Sequence, residues 1–391
     1  MRNRYHTIAS SASALIISSL LFFGCGGESK VEEIIEERGD GFQSYQLDLR
    51  SESIPFSDLI DKIEITRLEE TEESLLSYVR QIEFSDDRMV IPSGNESNIY
   101  VFFKTGEFLN KINRKGEGPE EYTSYNDVWL EGDTLALYNY RKSINRYDLK
   151  GNFISSDRML EQAAHLYPYR SGYVMDMNYR VSKDTLMFSL ITLGEDFKID
   201  KTFLPFTKAP DFWVSFSASS IISYEDDILY FPMMSDTVYK VEADTVAPFI
   251  HYDFQDDWFL QPGVEITGAI MDEAEKNEQV WYMHNKIGQN YIYLVAGIGT
   301  TKNAAFLIDR RTSKIVRIDF RTTSTEEYQM PSIAWHGDEF LASLQSSQLE
   351  ELLGQLDESQ YSFTAGSTLE EIESSENPVL IRMKIKQSKD W

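Results

Sequence analysis

From residue 42 onward, apolar runs of four to eight residues alternate with clusters of Gly, Asn, Asp and Ser. Runs this short, bounded by turn formers, predict antiparallel strands rather than helices. In the stretch 78–112 the pattern yields four strands, at 78–84, 88–91, 99–103 and 107–112. Turns fall at Asp86 and Asp87, at 93–95 and at 104–106.

The unit recurs. Stretch 144–154 repeats the pattern of 99–109, and Gly106, Gly151 and Gly194 stand 45 and 43 residues apart. Weaker echoes lie at 238–245 and 305–316. Glycine, Asn or Asp suits these points because a tight hairpin turn requires positive φ. Four strands per unit at this period is the signature of a propeller blade. Five units are countable, at 76–112, 123–156, 163–203, 212–254 and 280–320. A sixth is assembled from the ends: 331–344 and 378–385 from one terminus, 42–49 and 63–67 from the other. Such closure removes free sheet edges and locks the ring. Two interruptions read as helices, 268–279 and 347–356. The second places Leu349, Leu352, Leu353 and Leu356 on one face, which predicts that it packs against the ring. The fold class that follows is all-β, a six-bladed β-propeller closed by N- and C-terminal strands, with short helical insertions. The competing architecture is a pair of β-sandwiches.

The first 41 residues follow a different rule. Arg2 and Arg4 precede an apolar stretch from Ile8 to Phe23, diluted by five serines. Sixteen such residues are too few to span a bilayer, which takes about 20. A basic start, a short apolar middle and a small residue before the cut read as a signal peptide, residues 1–24. Directly after Gly24 stands Cys25, the sole cysteine of the chain. This arrangement resembles a bacterial lipoprotein signal, in which the cysteine is acylated and becomes the mature N-terminus. An ordinary secretory signal with a coincidental cysteine is the alternative. Residues 25–41 then form the lipidated cysteine and a flexible acidic tether, carrying Glu32, Glu33, Glu36 and Glu37. Residues 42–391 are the propeller. The expected location is the cell envelope, with acyl chains holding the protein to the outer membrane.

Charge narrows the choice of partners. Lys and Arg number 37 against 64 Asp and Glu, a net charge of −27. A polyanion is repelled by phosphate backbones, so nucleic acid is excluded as a general partner. A single cysteine rules out an intrachain disulfide framework and Cys-rich metal sites.

Stretch 108–122 carries a more specific signal. It holds Gly116, Gly118, Pro119, Glu121 and Tyr122 after a basic run. This resembles a hallmark of the six-bladed β-propeller lipoproteins of Bacteroidota, with Glu120 where that family has a third glycine. Stretch 56–71 resembles the family's first closing strand, and 376–386 its final strand. The resemblance implies fold and compartment but no biochemical activity. On its own residues the motif reads as a tight loop: Gly116 and Gly118 permit backbone geometry closed to other residues, and Pro119 sets the following turn. Glu121 and Tyr122 would hydrogen-bond within it. Two roles follow, a rigid blade connector or a ligand-contacting loop at the channel mouth.

Catalytic motifs are absent. Stretch 297–302 lacks phosphate-loop spacing, no Gly-x-Ser-x-Gly elbow occurs, and no two histidines stand four apart. Asp176 to Asn178 begins like a calcium loop without its glycine or closing Glu. Beyond the signal, His165, His251, His284 and His336 fall in the third, fourth, fifth and sixth units. His165 and His336 sit near inner strands and are the only metal-ligand candidates. His251 falls on an outer strand. Aromatic residues make up 13% of the chain, including pairs at 167/169, 281/282 and 291/293. Such rings stack on sugars or enclose peptide side chains, and they also fill blade interfaces. The reading is a lipid-anchored binding or scaffold module, without cofactor, for a glycan, peptide or envelope protein. The rival is a metal-dependent envelope hydrolase or lyase using the central channel.

Overall fold

Six sheets, each built on four antiparallel strands, are arranged as the blades of a β-propeller. The structure is a computed structural model, and it describes residues 41–93, 97–139, 142–181, 186–210, 219–243, 245–321 and 327–391. Cys25, the signal segment and the tether up to residue 40 lie outside the described residues. The first five blades occupy residues 83–112, 125–158, 165–205, 221–253 and 280–319 in chain order. The first strands of successive blades are neighbours, so they line the axis: Glu83–Phe84 beside Tyr125–Glu131, that beside His165–Tyr169, and Val280–Ile287 beside Ser332–His336.

Blade packing explains why the strands read as unbroken apolar runs. In Ile99–Phe103, Ile99 and Val101 enter the core shared with the second blade. Tyr100 and Phe102 point the opposite way, into the core shared with the sixth. In Tyr291–Ile298, Tyr291, Tyr293 and Val295 face the sixth blade while Ile292, Leu294 and Ala296 face the fourth. Side chains alternate between two buried faces, so both sets are apolar.

The sixth blade closes the ring. Ser332–His336 and Glu339–Leu344 form a hairpin, Val379–Ile385 pairs with it, and Ile60–Arg67 completes the four antiparallel strands. The closing role expected of 63–67 and 378–385 is therefore present. The expectation for 42–49 is corrected: Gln43–Gln46 pairs in parallel with the last strand of the fourth blade, Thr245–Asp253. Ser53–Pro55 likewise joins the fifth blade, and Tyr361–Phe363 the sixth. Residues 43–67 thus pass along the fourth and fifth blades before entering the sixth. Alternation along 42–49 identifies a strand but not its edge, and a parallel addition needs no turn to announce it. The start of this belt is fastened by polar contacts. Gln43 donates to the Arg310 carbonyl at 3.0 Å while Arg310 Nε donates to the Gln43 side chain at 3.0 Å. His251, on the outer strand as expected, lies with Nδ1 3.0 Å from Ser44 Oγ.

The turn glycines divide. Gly106 has φ +95°, and a Cβ there would stand 1.9 Å from the Arg67 carbonyl oxygen, where the closing strand ends. Glu69 N–H donates to the Gly106 carbonyl at 2.9 Å. Gly151 occupies the matching place with φ +85°. Gly194 does not. It sits three residues earlier in its turn, and Phe197 takes the left-handed position with φ +58°. That conformation costs a non-glycine residue energy, and here the Phe197 ring stacks on Tyr173 at 5.3 Å.

Helices form at Ile270–Asn277 and Leu349–Leu353, within the two expected stretches. Leu349, Leu352 and Leu353 are buried between the fifth and sixth blades, with Leu356 packed against them. A further helix, Leu369–Glu373, begins at a reciprocal cap between Thr368 and Glu371. The Thr-x-x-Glu spacing that makes this cap is visible in the sequence but was not among the expected helices.

Candidate functional site

The axial channel gathers titratable side chains from several innermost strands. On Val280–Ile287, Asn285 donates to the Tyr252 hydroxyl at 3.1 Å, while Met283 and Ile287 pack in the core shared with the fourth blade. Alternation therefore turns Tyr282, His284 and Lys286 the other way. Lys286 is half-buried, and its ammonium has no hydrogen-bond or ion-pair partner among the described residues, while its carbonyl accepts the Trp335 indole N–H at 2.9 Å. Burial pushes its ammonium down to about 8. His284 is held down at about 4 by burial first, then by the charges of Lys286 and Arg80, so its imidazole is neutral. Arg80 belongs to the segment leading into the first blade, and its guanidinium lies 4.4 Å from the centre of the Tyr78 ring.

Carboxyl and hydroxyl groups contribute the remaining polar lining. Glu83, on the innermost strand of the first blade, is pushed up to about 7 by burial, against the opposing hydrogen bond from Gln81. Gln81 Nε2 donates to Glu83 at 3.1 Å and to the Val128 carbonyl at 3.0 Å, joining first and second blades. Tyr167 of the third blade is raised by burial and by the Glu83 charge, and it hydrogen-bonds Ser223 of the fourth. Glu83 and Tyr167 belong to blades two apart in the ring, as do Arg80 and His284, so the polar groups act on one another across the axis.

The histidine candidates are not brought together. His165 Nδ1 lies 2.9 Å from an Asp127 carboxylate oxygen. Burial opposes its charge, but the Asp127 charge and hydrogen bond prevail and raise it to about 8. His336 is exposed, its ring 5.8 Å from Phe84. The third and sixth blades face each other across a six-bladed ring, and no group of three or more His, Cys, Asp or Glu among the described residues is placed to hold a metal. Asp176 is saturated by Ser220, Tyr230 and the Asn178 N–H at 2.6, 2.9 and 2.7 Å.

The loop 113–122 joins the outer strand of the first blade to the innermost strand of the second. Tyr122 is fully buried, and its hydroxyl donates to the Ser97 carbonyl at 2.8 Å. Gly118 N–H donates to the Glu121 carboxylate at 2.7 Å. The Tyr147 hydroxyl donates to the Glu120 carbonyl at 2.8 Å, and Asn145 to that of Glu121 at 3.2 Å. Pro119 stands at the tip of this loop. Neither Gly116 nor Gly118 takes a left-handed backbone, which corrects the expected reason for glycine. Space is the reason instead: a Cβ on Gly116 would lie 2.0 Å from the Glu121 carboxylate.

Residues 44–384 match the family described as a domain of unknown function, DUF4934. This chain is a DUF4934 protein. No curated protein matches its sequence. A protein of Bacteroides fragilis described as exported is similar in structure, with TM-score 0.67 and 16% identity, over 88% of this chain and 99% of that one. A member of the DUF4221 family from Bacteroides vulgatus gives TM-score 0.46 and 10% identity, over 83% and 98% of the two chains. For this DUF4934 chain, sequence reasoning had not singled out Glu83, Arg80 or Lys286. The available signal was polar residues at alternate positions, 282, 284 and 286, within an innermost strand.

Proposed function

We propose that this DUF4934 protein is a lipid-anchored binding or scaffold module of the bacterial cell envelope, with its ligand site in the axial channel. The observation that carries this reading is the set of polar side chains converging on the axis, of which His284 and Lys286 have no hydrogen-bond partner among the described residues. Groups desolvated in this way, with shifted protonation equilibria, gather where a protein binds or reacts. The candidate ligands are a glycan, a peptide or a segment of an envelope protein. Support for the compartment comes from the signal-like first 24 residues, from Cys25, and from the similarity to a protein described as exported.

Two measurements test the proposal. Cells making the protein with labelled fatty acid should show label on the chain and the chain in the membrane fraction. Cys25→Ser should abolish both, and membrane retention of that variant at the parent level would remove the anchor. For the channel, a thermal-shift panel of oligosaccharides and peptides should give ligands that stabilise the protein and lose their effect when Lys286 and Glu83 are substituted.

A further inference from the structure

We propose that the channel recognises a small monocarboxylate, with the ligand's carboxylate seated among Lys286, His284 and Arg80. The proposal rests on the channel being a binding site and names the chemistry that site selects.

The contrast with the molecule's other cations is the starting point. Arg146 is held between Glu131 and Asp157. Lys240 is held between Asp227 and Glu242. In a chain with 64 acidic residues against 37 basic ones, a partner for any cation is easily supplied. Lys286 is half-buried and has none among the described residues. Removing an ammonium from water without a partner is costly, and an incoming anion would offset that cost with a charge-assisted hydrogen bond.

Its neighbours favour the same ligand group. His284 lies two residues earlier on the same face of the strand, neutral and unpartnered among the described residues, so its ring N–H is free to donate to a carboxylate oxygen. Arg80, in the segment leading into the first blade, brings a second positive charge whose field acts on His284, and its guanidinium is steadied on the Tyr78 ring. Two cations and a neutral donor suit a single negative charge. Glu83, Tyr167 and Ser223 supply hydrogen-bonding groups elsewhere in the channel for a hydroxyl or ammonium on the ligand. The net charge of −27 and the Glu83 carboxyl disfavour phosphate dianions.

The test is calorimetric titration of the purified protein with glucuronate, lactate and alanine, beside glucose and glucose 6-phosphate. The expected result is saturable binding of at least one monocarboxylate and tenfold or greater preference for it over glucose and the phosphate. Lys286→Gln should weaken that binding tenfold or more. Arg80→Gln, at an exposed position, should weaken it severalfold and so provides a second reading if the first variant fails to fold. Equal binding of glucose, or unchanged carboxylate affinity in Arg80→Gln and in a folded Lys286→Gln, would overturn the proposal. Binding of a neutral oligosaccharide or peptide, with no carboxylate bound, would overturn it and leave the binding module standing. Turnover of any probe would overturn the binding reading itself.

Discussion

The Asp127 carboxylate couples two blades through His165: one oxygen lies 2.9 Å from the imidazole Nδ1, and the other accepts the Leu166 N–H at 2.9 Å. The innermost strands of the second and third blades are therefore joined by one buried anion.

That pair makes stability depend on pH. The folded His165 titrates near 8, above its ordinary 6.5. Its contribution is fully present below pH 6.5 and is lost as pH rises through about 8. The expected size is about 2 kcal/mol, since each tenfold change in proton affinity is worth about 1.4 kcal/mol. Asp127→Asn should therefore cost more at pH 6 than at pH 9 in denaturant melts. An NMR titration should find His165 of the variant below 6.5. An unmoved midpoint would show that Asp127 is not the cause.

Glu83 works in the opposite sense to a salt-bridged carboxylate. Its folded value of about 7 lies above the ordinary 4.5, so the folded state holds a proton that the unfolded state has released. Stability contributed by this group falls as pH rises from about 4.5 to 7, by about 2–3 kcal/mol. Glu83→Gln should remove that slope and make the protein more stable than the parent at pH 8. Parallel stability curves for the two proteins between pH 5 and 8 would contradict this.

In the blade-connecting loop, Gly116→Ala would push the Glu121 carboxylate away from the Gly118 N–H. That side chain is flexible, so the cost is the lost hydrogen bond, about 1 kcal/mol. Glu121→Ala should cost about the same, and the double variant little more than either alone. Additive losses would mean that the two residues act separately. Tyr122→Phe, which strips a buried hydroxyl from the Ser97 carbonyl, should cost about 1–2 kcal/mol.

Truncation separates the belt from the lock. A chain beginning at Ser53 loses Tyr45 and Leu47 from the core shared by the fourth and fifth blades but keeps Ile60–Arg67. It should melt cooperatively at a lower temperature. Chains beginning at Leu75 or ending at Glu376 lose a strand of the sixth blade and should be insoluble or molten. A cooperatively melting chain that begins at Leu75 would show that the ring does not need its closing strand. Removing 26–40 should leave the melting temperature nearly unchanged, because a segment of this composition has little apolar surface to bury.

The fold was legible because blade strands carry their own signals. Apolar runs with turn residues at regular spacing mark Ile99–Phe103 and Ser143–Asp148, and those signals are local. The edge that Gln43–Gln46 joins was not legible, since its partner Thr245–Asp253 lies about two hundred residues away and any exposed edge accepts a strand. Gly194 misled because glycine suggests positive φ, yet the left-handed residue of that turn is Phe197, whose ring stacks on Tyr173 of a neighbouring strand. The site was legible only in part. His165 was noticed for its chemistry, but its partner Asp127 stands 38 residues away on another blade.

The sequence by itself determined the strand periodicity, the repetition of five blades, and the closure of a sixth by residues 63–67 and 378–385. Each follows from local spacing of apolar, turn and charged residues. Only the tertiary structure decided that the Lys286 ammonium would lie without a partner among the described residues on the same face as a neutral His284, that the Arg80 charge would act on that histidine, and that Glu83 would be desolvated and act on Tyr167. Those properties belong to the channel, which exists only once six blades have closed around it. Burial and the distance to the nearest opposite charge are set by chain segments far apart in sequence, and no local pattern encodes them.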